Sequence, residues 1–308
     1  MCTRIVLAML LILSTVQAGA QCCPEKPSTE KRQVLWQKLQ TEIRRVDEQL
    51  DGVLAVAVKD LTSGEEFLIR GDEVMPQASS IKIAVLANLY LQAQQGRLKL
   101  GDEYVVRKED LVPGSDILLG LTPGVTRLTL RDLATVMIAV SDNSATNVLI
   151  DRLGFENVNQ MLQQMGLHNT RLRRKMMDLK AASEGRENIS TPREMMTLLE
   201  AIYRGKLLNT QMTDDFLKVL STHKESSILQ ALPDDAIAAN KPGELEAVRN
   251  DSGIVLVKNR PFILCVMTSY LKDEKEGSAA IRKIAALAYS YFDRVSRASD
   301  YGRVVSPK

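Results

Sequence analysis

Strand-like periodicity falls at the two ends of this chain, with a long helical stretch between, so any sheet must be assembled from widely separated segments. Leu35, Leu39, Ile43, Val46 and Leu50 recur at spacings of three and four, which predicts a helix over 30–50. Strands follow over 54–60 and 66–70, joined by the turn-forming Thr62-Ser63-Gly64. From Ser79 to Thr222 the patterns are mostly helical, most clearly over 80–95, 129–140, 144–153, 156–165, 192–203 and 211–221. Strand signals return over 236–241, 247–258 and 261–271, and an amphipathic helix over 274–294 precedes a polar tail, 296–308. Consecutive hairpin-like strands argue for an antiparallel sheet covered by the terminal helices. The sequence thus predicts an α+β fold in a single domain over 30–295. One lobe comes from 30–78 and 222–295, a helical lobe from 79–221, and a cleft runs between them.

Composition narrows the chemistry. At 308 residues, 45% apolar and 25% charged, the chain can bury a sizeable core. Its 40 basic and 38 acidic residues leave a formal charge of +2, with no whole-chain footprint for nucleic acid. Histidine is scarcer still. His168 and His223 are the only two, which excludes a multi-histidine zinc site and leaves few bases for a Ser-His-Asp triad. Hydrolytic chemistry here needs another base, and no metal, nucleotide or redox cofactor motif is visible.

Arg4 precedes the apolar run Ile5 to Val16, and Ala18-Gly19-Ala20 supplies small residues for cleavage. Residues 1–20 therefore read as a secretory signal peptide, too short to span a membrane, and 21–29 as a disordered leader. The mature chain is expected to be exported, periplasmic or secreted, without stable membrane insertion, and monomeric. Gly19 and Gln21 argue against a lipid anchor on Cys22 or Cys23. Cleavage leaves Cys22, Cys23 and Cys265, an odd number that argues against a disulfide framework. Cys265 lies in an apolar run and reads as a buried free thiol.

In Gln77-Ala78-Ser79-Ser80-Ile81-Lys82, a serine at a helix start has a lysine three residues on, sharing one helical face. The helix dipole there favours a developing oxyanion, and a lysine that loses its proton can activate the serine. Alone the pattern is weak, because N-capping produces it often. Ser141-Asp142-Asn143, however, interrupts the apolar helix Leu133–Val140, and Lys241-Pro242-Gly243 lies on a predicted strand. Each has an ordinary reading, as a helix terminus or a strand-end turn.

Together these elements stand in the order and approximate spacing of Ser-x-x-Lys, Ser-Asp-Asn and Lys-Thr-Gly, the signature of class A β-lactamases and penicillin-binding proteins. The chain resembles class A β-lactamases from about residue 35 to 294. Met137 to Asn147, Asn250-Asp251 and Thr191-Pro192 add to the likeness. The resemblance implies a five-stranded antiparallel sheet flanked by helices, plus a helical lobe. It makes Ser79 the acylated nucleophile, Lys82 a base or proton relay, and Ser141 the donor to the leaving lactam nitrogen. Asn143 would hold the substrate amide and Lys82, while Asp142 would be buried and structural. Lys241 would supply positive potential to the substrate carboxylate and depress Lys82. Backbone N–H groups of Ser79 and Glu244 would form the oxyanion hole. Arg249 reads either as a second carboxylate anchor or as a solvated strand-edge arginine.

Two departures matter. The family carries a glutamate two residues after an arginine of its omega loop. Here Met176 follows Arg174 at that distance, and Lys175 follows Arg173, so neither alignment supplies a carboxylate base. Asp178 reads as a surface residue, or as a substitute base in a rebuilt loop. Asn188 stands where an aspartate pairs with the loop arginine, weakening an ion pair to a neutral hydrogen bond. The second departure is Pro242, which lacks the hydroxyl that would bind the substrate carboxylate. Gly243 is expected to permit close approach of substrate to the strand. The expected activity is therefore acylation of Ser79 by a small-molecule β-lactam or acyl-peptide, with slow hydrolysis. The rivals are a peptidase or esterase with a non-lactam substrate, and a non-turnover protein that captures β-lactams or peptidoglycan fragments.

Overall fold

The computed structural model describes residues 29–299 and 301–304, so the signal-peptide reading and nearly all of the leader fall outside it. The chain opens with α1 (Thr29–Gln49), β1 (Val53–Asp60), β2 (Glu66–Ile69) and the short β3 (Met75–Pro76). A 3₁₀ turn, Ala78–Ile81, leads into α2 (Lys82–Gln94), then β4 (Glu103–Val105) and β5 (Arg127–Thr129). Next come α3 (Leu130–Ala139), α4 (Asn143–Leu153), α5 (Phe155–Gln164), the brief α6 (Leu179–Ser183) and β6 (Ile189–Ser190). After α7 (Pro192–Tyr203), α8 (Thr210–Leu220) and the single turn α9 (Ser227–Gln230), the sheet resumes. It is completed by β7 (Ala238–Leu245), β8 (Val248–Val255) and β9 (Phe262–Ser269), and α10 (Glu274–Ser296) closes the fold.

The main sheet is antiparallel throughout, in the order β2-β1-β9-β8-β7. Both of its faces are covered. Leu54, Val56 and Val58 of β1 pack with Trp36, Leu39 and Ile43 of α1 and with Ile281, Ile284 and Phe292 of α10. The alternate residues, Ala55 and Ala57, face a second core built on α2, α3, α4, α7 and α8. Helix α2 has no solvent face over most of its length: Ile83 to Tyr90 are all buried, as in a helix at the centre of a body rather than on its surface.

The strand registers differ modestly from the sequence reading. The strand expected over 236–241 continues as β7 through Pro242 and Gly243 to Leu245. It can do so because β7 is an edge strand, where a proline loses no ladder bond on its open side. Strands β4, β5 and β6 lie inside the stretch read as mostly helical, and β6 pairs with β3, just before it. Cys265 is a buried free thiol. Among the described residues no helix is long and apolar enough to cross a membrane.

Candidate active site

The nucleophile's position follows from how its turn is held. Ala78 adopts φ +47°, and Ser79 sits in the 3₁₀ turn rather than on the α-helix itself. Three-residue periodicity there places Ser79 and Lys82 on one side. Ser80 is fully buried and donates to the Lys241 carbonyl at 3.1 Å, so its hydroxyl faces away from solvent. Ser79 is half-buried and lines a cavity of about 600 Å³. Asn250 anchors the approach to the turn by donating to the Pro76 carbonyl at 2.7 Å.

Opposite it, Ser141 bridges α3 and α4 at φ +58°. The buried Asp142 carboxylate fixes that bend by accepting from Ala145 N (2.9 Å), Leu118 N (2.9 Å) and Ile117 N (3.2 Å). Both oxygens of Ser141 therefore meet Lys82, whose Nζ lies 2.7 Å from the carbonyl and 3.0 Å from Oγ. Lys82 Nζ also lies 3.1 Å from Asn143 Oδ1, and the Asn143 amide donates to the Pro113 carbonyl at 3.2 Å. The hydroxyls of Ser141 and Ser79 are 2.9 Å apart. Burial, and next the charge of Lys241, hold the Lys82 pKa well below the usual lysine value, against the opposing pull of Asp142.

Strand β7 forms the other wall. Lys241 is almost wholly buried and donates to the Pro242 carbonyl at 3.1 Å. Its pKa is pushed down to about 7 by burial, with Asp251 opposing. Gly243 has a different role from the one expected. A Cβ there would lie 2.6 Å from the Gln77 carbonyl and 2.9 Å from Ser80 N, so glycine admits the nucleophile's own turn rather than the substrate. Glu244 lines the cavity with an exposed side chain. Arg249 does not line it. Its guanidinium donates to the carbonyls of Leu245 (2.8 Å) and Val248 (2.7 Å) and pairs with Glu274 at 3.2 Å, a partner contributed by the start of α10.

The loop between α5 and α7 is held by a different set of bonds from those expected. Arg174 pairs with Glu187 at 2.8 Å, so an ion pair persists through the neighbour of Asn188. The Asn188 side chain instead accepts from Arg173 N and Arg174 N and donates to the Arg174 carbonyl. Asn147 brackets the Met176 backbone, accepting from its N–H at 2.8 Å and donating to its carbonyl at 3.1 Å. The Met176 side chain is buried in the core. Asp178 caps α6 by accepting from Ala181 N at 2.9 Å and does not line the cavity.

The sequence reading missed Lys224. It is buried, lines the cavity beside His223 and Glu225, and donates to the Leu220 carbonyl at 2.8 Å. Its pKa is lowered to about 8 by burial, opposed by Asp251. A lysine just past a helix end reads as a cap for the last carbonyls, which it also is. Its place in the cleft comes from tertiary contacts. Buried Asp251 accepts from Ser226 Oγ, Ile228 N and Asn240, tying the segment after Lys224 to β7.

Comparison with known proteins agrees with this geometry. A model of the beta-lactamase enzyme family matches residues 38–292. Beta-lactamase SME-1 of Serratia marcescens is 28% identical over 261 residues, covering 82% of this chain and 88% of that protein. The crystal structure of a beta-lactamase from Sphaerobacter thermophilus aligns at TM-score 0.76 and 29% identity, covering 83% of this chain and 97% of that one. A leucine-to-glutamate variant of PBP-A, solved as an acyl-enzyme complex with penicillin G, aligns at TM-score 0.75 and 29% identity, over 85% and 97% of the two chains. Sequence, fold and cleft converge, and the chain belongs to the beta-lactamase enzyme family, in its class A serine branch.

Proposed function

We propose that this protein is an exported, monomeric serine hydrolase that opens β-lactams by acylating Ser79 and deacylates slowly. The observation that carries the proposal is the unbroken series Lys82 Nζ, Ser141 Oγ, Ser79 Oγ, at 3.0 and 2.9 Å. A neutral lysine keeps two N–H bonds, and two of its three neighbours, the Ser141 carbonyl and Asn143 Oδ1, can only accept. Its lone pair is left for the Ser141 hydroxyl, the one neighbour that can donate. The Ser79 proton then passes to Ser141 as the Ser141 proton passes to Lys82. Ser79 Oγ attacks the lactam carbonyl, and the oxyanion is received by the N–H groups of Ser79 and Glu244. As the C–N bond breaks, the same series returns a proton to the departing nitrogen. Lys241 attracts the substrate carboxylate, with Lys224 as a second cation in place of Arg249.

Intact mass spectrometry after exposure to a β-lactam tests the acylation. One adduct is expected, absent in Ser79→Ala, and Lys82→Ala or Ser141→Ala should form it about 10²–10⁴ times more slowly. An adduct that survives Ser79→Ala but disappears in Ser80→Ala would overturn the assignment. Met176 favours a second reading, in which the protein stays acylated and acts as a β-lactam-binding protein, because no carboxylate stands at the loop position expected to activate water. A chromogenic cephalosporin separates the two: sustained colour supports the hydrolase, and a single stoichiometric burst the binder.

A further inference from the structure

We infer that the cleft selects zwitterionic acyl donors, which carry a carboxylate near the reacting amide and a protonated amine toward the mouth. The inference rests on the acyl-enzyme reading above and adds the substrate class. Its ground is how charge is distributed around one cavity. Lys241 and Lys224, both more than nine-tenths buried, supply positive potential on the inner side. Asp116, Glu225 and Glu244 come from three separate segments, are all exposed, and line the same cavity. Asp116 and Glu225 form no ion pair among the described residues, and Glu244 has only the Arg249 guanidinium at 4.0 Å.

These acids do not make a site by themselves. They line the same cavity as Ser79 and the two buried lysines, on its solvent-exposed part. A donor with only a negative charge is attracted by the floor and repelled at the mouth. A donor with both charges gains at each end, and the low dielectric of the protein walls strengthens the effect. Two sources share this chemistry: β-lactams with an amino group in the acyl side chain, and wall-type peptides with a free side-chain amine.

The test compares second-order acylation rates within two matched pairs. One is ampicillin against N-acetylampicillin; the other is an Nα-acetyl-lysyl-D-alanyl thioester of mercaptoacetate, which carries the carboxylate, with its side-chain amine free or acetylated. The amine-bearing member of at least one pair should react about tenfold faster, and the advantage should shrink in about 0.5 M salt. Asp116→Asn or Glu225→Gln should each reduce that ratio by about two- to fivefold. His223, which shares the mouth, is unchanged in both variants. An advantage in the first pair alone assigns the site to antibiotics, in the second alone to peptides. No advantage in either pair, or one untouched by both substitutions, overturns the inference. Failure of all four compounds to modify Ser79 overturns the acyl-enzyme reading beneath it.

Discussion

At the scale of single residues, the slow deacylation proposed above turns on Met176. Asn147 grips its backbone on both sides while its side chain enters the core, so the loop is well held yet presents no base. Met176→Glu should accelerate deacylation by about 10²-fold and leave acylation nearly unchanged, because the two half-reactions use different bases. Burst amplitude and later slope measure the two steps separately. Rapid deacylation by the wild-type protein, abolished in Asp178→Asn, would assign the base to Asp178 despite its capping bond. Sequence spacing was enough to pair Ser79 with Lys82 and to flag Met176. It did not reveal that Arg174 would find Glu187, because the pairing depends on how the loop folds back.

At the scale of elements, β7 and the turn Ala78–Ile81 form one unit. Ser80 donates to Lys241, and Gly243 leaves room for the Gln77 carbonyl. Gly243→Ala should cost about 1–3 kcal/mol of stability through overpacking. It should also slow acylation by about 10²-fold, since small displacements of a nucleophile have large effects. Thermal unfolding and adduct formation measure the two separately. Normal acylation in a destabilised variant would mean that β7 does not position the turn. The long helices and the sheet strands were legible because their periods repeat several times. β3 to β6 were not, since two or three residues are too few to show alternation. A glycine within a strand does signal a close approach, but the sequence does not name the neighbour.

At the scale of the molecule, the charges the cleft buries are mostly lysines, while the chain as a whole is nearly balanced. Lys241, at about 7, is charged below that pH and neutral above it, so its hold on a substrate carboxylate fades as pH rises. Lys82 has the opposite requirement, and the lowering of its pKa by burial and by Lys241 favours the neutral form. kcat/KM should therefore fall on the alkaline side as Lys241, at about 7, and then Lys224, at about 8, lose their protons. A rate that keeps rising through this range would contradict it. Stability follows its own sign. An unfolded Lys241 keeps its proton to about 10.5, the folded one only to about 7, so the unfolded state binds more protons between them. The cost of burying that charge is complete below about 7 and lifts toward 10.5. In denaturant titrations Lys241→Met should stabilise the fold most near about pH 6 and least near about pH 10.

The strand order has a consequence for assembly. β9, the last strand made, lies between β1 and β8 and joins the two halves of the sheet. Until residue 269 has left the ribosome, a nascent chain holds two separate hairpins and no strand to join them. Long-range closure of this kind is slow, since the entropy of a very large loop is lost before any of its contacts form. For the export proposed above, the sheet closes only after nearly the whole chain has been made. A C-terminal truncation before β9 would leave its strand edges open to pairing with other chains, and inclusion bodies, rather than a weakened enzyme, are the form in which it should be found.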